Sequence, residues 1–168
     1  MTPLRSHLSK AVLALVLAGA PATVIAQQFI AEHEGITLKA FRDGAAKWTI
    51  CRGHTAGVQP GDTATPEQCA AFFATDIGIA FADLDRAVKV DMPETMRAAL
   101  ASWFFHVGGG KKARESTLIR KANAGDRQGA CDELPRWVFS GGKDCRIAAS
   151  NCGGIVERRA AERELCLL

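Results

Sequence analysis

The feature that most constrains this chain is a gap in its charges: between Lys10 and Glu32, twenty-one residues pass without an acid or a base. As a helix that gap spans about 30 Å, close to the hydrocarbon thickness of a bilayer. Such a run has to leave water, either into a membrane or into a core. Arg5 and Lys10 precede it, residues 11–20 are apolar, and Val24 and Ala26 give a cleavage pattern ahead of Gln27. Basic, then apolar, then small is the order of an export signal. As a membrane span it is poor, because Ala and Gly dominate, Pro21 and Thr23 interrupt it, and Gln27 and Gln28 close it. Three readings follow: a cleaved signal peptide, a weak uncleaved anchor that can slip out, or a buried helix of a cytosolic core. The flanking charges favour export. Residues 1–26 are therefore expected to be a signal peptide or signal-anchor ahead of one folded domain, residues 27–168.

That domain is long enough for a single core. The net charge of +3 shrinks once Arg5 and Lys10 are set aside, leaving nineteen basic against eighteen acidic residues. Nucleic-acid binding needs a basic stripe, and none is expected here. Six cysteines, at 51, 69, 131, 145, 152 and 166, include no C-x-x-C and no zinc-ribbon spacing. With an export signal, an even number favours disulfides over a metal site, so no metal or other cofactor is expected.

Residues 29–38 read as a short helix. Asp43 and Gly44 mark a turn, and Trp48, Thr49 and Ile50 suit a strand, so a small hairpin lobe is expected up to Thr63. Thr65, Pro66 and Gln68 form a strong helix start, as N-cap, first-turn proline and capping-box partner. Cys69, Phe72, Phe73, Ile77, Ala80, Phe81, Leu84 and Val88 then recur at helical spacing. Pro93 opens a further helix that ends at the glycines 108–110. Shorter helices are expected over residues 116–123 and 126–139, then a turn at 140–142 and a last helix over about 155–165. The class is α+β, with a small N-terminal β-lobe joined by a long helix to a mainly helical C-terminal lobe.

Glu34, Asp43 and Thr49 carry the candidate chemistry. A helix end, a turn and a strand can bring all three to one cleft. Glycosidic cleavage needs a protonated carboxyl on one side of the bond and a carboxylate managing water on the other. A Glu in a partly apolar pocket suits the donor role. Spacing alone is weak evidence, since most such triplets are solvated surface groups.

The stretch is, however, similar to the active-site signature of phage-type lysozymes. Glu34 and Gly35, eight residues to Asp43, five to Thr49, and then Gly53 and His54 match it without gaps. Residues 90–100, 116–121, 125–131, 136–137 and 158–166 also resemble endolysins of lambdoid phages, so the likeness runs from about 29 to 168. The resemblance implies a lysozyme-like fold and a muramidase that cuts the β-1,4 bond between N-acetylmuramic acid and N-acetylglucosamine for host lysis. Glu34 would be the general acid, Asp43 and Thr49 would position the water, and the anomeric carbon would invert. His54 and Asp76 would form a structural ion pair. Disulfides Cys51–Cys69, Cys131–Cys166 and Cys145–Cys152 are implied among fifteen possible pairings, the third closing a loop that looks inserted. The partners would be peptidoglycan glycan strands and, through residues 1–26, the inner membrane of a Gram-negative host. The chain would be a monomer exported by the Sec route, membrane-tethered or periplasmic.

The chain departs from the family pattern in three places. Pro135 should kink or delay its helix. The glycine-rich link over 108–115 is one residue longer and lacks the expected phenylalanine. No cysteine lies in residues 1–50, so a thiol in the anchor cannot attack an inhibitory disulfide. Two other classes compete with the hydrolase: a catalytically silent cell-wall-binding module on the same fold, and an inhibitor-like secreted disulfide protein.

Overall fold

The computed structural model describes residues 6–44 and 46–168; Arg5, the first basic residue of the export pattern, lies outside them. The apolar N-terminal run is not one helix. It breaks into α1 (Lys10–Leu17) and α2 (Ala22–His33). Gly19, with φ +66°, and Pro21 turn the chain between them. Among the described residues no helix is long and apolar enough to cross a membrane. Both helices instead feed the core, where Val12 and Ala26 are 0% exposed and Ile25 is 1% exposed. Ser9 caps α1 and also donates to Glu32 of α2.

The helix expected over residues 29–38 is corrected at both ends. It begins seven residues earlier, at Ala22, because the apolar face of Ile25, Ala26, Phe29 and Ile30 is continuous and buried. It ends at His33, and Thr37–Arg42 form strand β1. β1 pairs antiparallel with β2 (Trp48–Cys51), with Phe41 opposite Thr49 and an irregular register toward Thr37. Short bridges from Lys39 to Thr63 and from Ile50 to His54 fold the following loop onto this hairpin.

The long helix α3 (Pro66–Ala87) starts on the capping box of Thr65 and Gln68, with Pro66 in the first turn. Next comes α4 (Glu94–Val107), apolar nearly all round, as suits a helix buried on every side. It packs against α2, α3 and the last helix, α8 (Gly154–Leu167), and its Leu100 and Trp103 are fully buried. The glycine-rich link holds a single turn, α5 (Lys111–Arg114), followed by α6 (Thr117–Asn123) capped by Ser116.

The helix expected over residues 126–139 is also corrected. It stops as α7 (Arg127–Asp132), and Leu134–Arg136 form a tighter 3-10 turn. Pro135 has no N–H to continue an α-helical ladder, so the helix ends before it rather than kinking. The turn at Gly141 and Gly142, both with positive φ, joins the short strands β3 (Phe139–Ser140) and β4 (Lys143–Asp144). Cys51 is bonded to Cys69, Cys131 to Cys166, and Cys145 to Cys152.

Candidate active site

Glu34 is the residue at which α2 stops. Its N–H still donates to Ile30 O, while its own φ and ψ are extended, so the side chain leaves the helix axis toward the hairpin. The orphan carbonyls of that helix end need donors. Arg52, on the loop after β2, supplies one: Nη1 donates to Ala31 O at 2.8 Å and to Glu34 O at 2.7 Å. The same guanidinium lies over the Phe73 ring, 5.6 Å from its centre.

The carboxylate is held from the other lobe. Arg158 Nη1 of α8 donates to Glu34 Oε1 at 2.5 Å, with the Arg158 side chain 5% exposed and that of Glu34 22% exposed. Arg158 is itself held by Glu162 Oε1 at 3.2 Å, and Ser102 Oγ of α4 donates to the same oxygen at 2.7 Å. Glu162 also pairs with the buried Arg159, whose Nη2 lies 2.7 Å from His106 Nδ1. Desolvation, then the Arg159 and Arg158 guanidiniums, push the His106 ring down to about 3, although the residue keeps an open side toward the cleft. The wall around Glu34 is thus only partly the apolar pocket expected for a proton donor. Phe41 and Phe105 are present, but a guanidinium faces Oε1. On the Oε2 side stands Gly53, at φ +89°, a conformation that favours glycine.

Asp43 sits in the turn after β1. Its backbone N–H donates to Lys47 O, and Lys47 N returns a bond to Oδ1 at 2.9 Å. Thr49 Oγ1 lies 3.3 Å from Asp43 Oδ2 and 3.2 Å from Lys47 O. The hairpin register forces this meeting, because Thr49 is opposite Phe41, two residues before Asp43. A cavity of about 370 Å³ then brings Glu34, Asp43 and Thr49 together, with Phe41, Phe105 and His106 on its walls. Such a space, with an acid from one element and a carboxylate and hydroxyl from another, can hold a sugar ring and a water.

His54 and Asp76 meet as well, at 2.9 Å between Nδ1 and Oδ2. His54 Nε2 faces Ala56 O at 3.1 Å, and the ring stacks flat on Phe72 at 4.3 Å. Neither residue lines the cavity of Glu34, Asp43 and Thr49. Sequence reasoning did not single out Arg52, Ser102, His106, Arg158, Arg159 or Glu162 for the site. Only the last three left a signal: charges at i, i+1 and i+4 in an alanine-rich helix that must bury one face. No group of three or more His, Cys, Asp or Glu suited to a metal occurs among the described residues.

The profile of the family described as Phage lysozyme matches residues 31–162. The chain belongs to the phage lysozyme family. The SAR-endolysin of Escherichia phage 933W is 44% identical over 167 residues, covering 96% of this chain and 94% of that relative. Among solved structures, the active form of the P1 phage endolysin Lyz superposes with TM-score 0.71 at 26% identity, covering 98% of this chain and 96% of that one. The secreted inactive form of the same endolysin superposes with TM-score 0.50 at 30% identity, over 66% of this chain and 74% of that one. As a phage lysozyme, the chain is a glycoside hydrolase of peptidoglycan and acts as an endolysin in cell lysis.

Proposed function

We propose that this phage lysozyme cuts the β-1,4 bond between N-acetylmuramic acid and N-acetylglucosamine with inversion. In this reading Glu34 protonates the glycosidic oxygen, while Asp43 accepts a proton from a water that Thr49 helps to orient. The observation that carries it is the shared cavity, with the Asp43–Thr49 contact on a different element from Glu34. A protein water-holder that is hydrogen-bonded to a second group suits direct attack by water, as an inverting cleavage requires. Proton NMR of the first product formed from glycan strands tests it. An α-anomer appearing before mutarotation is expected; a β-anomer would mean retention.

We further infer that residues 1–26 are a signal-anchor kept by the mature enzyme rather than a peptide removed from it. Val12, Ala22, Ile25 and Ala26 are core residues, and burying each of the larger ones contributes about 1.5–3 kcal/mol. The same segment cannot lie in a bilayer and in this core at once. Only seven residues separate Ala26 from Glu34, at most ~25 Å when extended. An anchored chain would therefore hold its general acid against the membrane, with α2 undocked from α4, and release would assemble the site without thiol exchange. The fuller superposition on the active P1 endolysin supports the released arrangement. Export would follow the Sec route to the periplasmic face of a Gram-negative inner membrane, with the released enzyme a monomer. Intact mass of the periplasmic protein tests the inference: full length is expected, and loss of residues 1–26 would refute it.

A further inference from the structure

Glu34 and His106 stand between two cavities. One, of about 370 Å³, holds Asp43 and Thr49; the other, of about 320 Å³, is walled by His33, Asn151, Cys152 and Ile155. Inverting chemistry orders these spaces. Glu34 gives its proton to the glycosidic oxygen, the C1–O bond breaks, and its electron pair stays on that oxygen. Water oxygen bonds to C1 from the Asp43–Thr49 side, and its proton passes to Asp43. The attacked sugar must then occupy the cavity between Glu34 and Asp43. The leaving sugar, which departs with a free 4-hydroxyl, lies beyond Glu34, in the second cavity.

We propose that the disulfide-closed loop of residues 145–152, with His106, is the leaving-sugar subsite and recognises the acetamido group of N-acetylglucosamine. The proposal rests on Glu34 being the general acid. Its first support is the His106 ring. Arg159 Nη2 faces Nδ1 at 2.7 Å, and a guanidinium can only donate, so Nδ1 is the acceptor. The ring proton is therefore on Nε2, on the side away from Arg159, in a residue that lines both cavities. A fixed neutral donor matches an amide carbonyl.

The second support is the loop itself. The Cys145–Cys152 bond closes it, Ser150 Oγ donates to Asp144 O at 2.7 Å, and Arg146 pairs with Asp144 at 2.6 Å. This frame holds Asn151 at φ 51°, exposed at the cavity wall. Among the described residues its carboxamide has no hydrogen-bond partner. A carboxamide offers both a donor and an acceptor, the complement of an acetamido group, and Ile155 offers an apolar contact for its methyl. Among the described residues the one Arg or Lys lining this cavity is Arg158, already held by Glu34 and Glu162. The subsite thus suits a neutral amide better than the carboxylates of a stem peptide.

The test compares glycan strands carrying N-acetylglucosamine with strands de-N-acetylated at that sugar. The native enzyme is expected to show about tenfold higher kcat/KM on the acetylated strands. Asn151→Gly removes the carboxamide and keeps the left-handed backbone accessible; His106→Phe removes the donor. In both, the ratio of kcat/KM between the two substrates is expected to fall toward one, mainly through KM. Should His106→Phe fail to fold for want of the Arg159 acceptor, Asn151→Gly alone decides. A native enzyme that does not distinguish the strands, or a ratio unchanged in Asn151→Gly, overturns the proposal. Failure of the underlying acid assignment reads differently, as Glu34→Gln still cleaving either strand.

Discussion

Arg52→Met isolates the clamp at the end of α2. The substitution keeps an apolar stem near Phe73 but removes the guanidinium that bonds Ala31 O and Glu34 O. Hydrogen bonds from a charged donor are worth about 1.5–3 kcal/mol each, and stacking on Phe73 about 0.5–1. Arg52 is half-buried, so water can reach part of what it leaves, which trims the expected cost to about 2–4 kcal/mol. The consequence for catalysis follows from geometry. With its last carbonyls unbonded the helix end frays, and a drift of about 1 Å at Glu34 costs roughly a hundredfold in rate. Because Arg52 does not line the cavity of Asp43 and Thr49, KM should change little while kcat falls. Urea melts give the stability loss, and initial rates on soluble glycan strands separate kcat from KM. A native kcat in a variant destabilised by more than about 2 kcal/mol would refute the clamp as a positioning device and leave it purely structural.

Two further outcomes concern the His54–Asp76 pair and the His106 ring. His54→Ala should cost about 2–3 kcal/mol by stranding the partly buried Asp76, yet keep activity within about threefold below its Tm; loss of cleavage in fully folded protein would contradict a structural role. His106 titrates at about 3 when folded but near 6.5 as a free imidazole, so the unfolded chain takes up the proton first as pH falls. Its contribution is complete above pH 6.5 and is lost progressively toward pH 3. His106→Gln keeps an acceptor for Arg159 and should flatten the stability profile over that window in urea melts; an unchanged slope would count against it.

The grouping of Glu34, Asp43 and Thr49 was legible through the likeness to phage-type lysozymes, which rests on a short local signature. Glu34, Asp43 and Thr49 fall within sixteen residues, and the capping box at Thr65 is written in four. The N-terminal segment was not legible, because an apolar, uncharged run looks the same whether it enters lipid or a core. The burial of Ile25, Ala26 and Phe29 in the core and the packing of α2 against α4 show the place this run takes in the folded enzyme, which its hydropathy does not. The grip on Glu34 was hidden for another reason. Arg158 lies 124 residues away and Arg52 eighteen, and neither distance leaves a periodic trace. Pro135 warned of a broken helix, but not that the chain would turn into a 3-10 segment and a hairpin instead.

The central claim is that Glu34 delivers the proton that breaks the glycan. The most direct measurement is clearing of chloroform-treated Gram-negative cells by native protein and by Glu34→Gln at equal concentration, with Tm values checked first. The amide keeps the shape and can still face Arg158, but has no proton to give. Near-complete loss of clearing by a folded Glu34→Gln is expected, on the order of a thousandfold or more, since general acid catalysis alone supplies 10²–10⁴. Equal clearing by both proteins would contradict the account and remove Glu34 from its role.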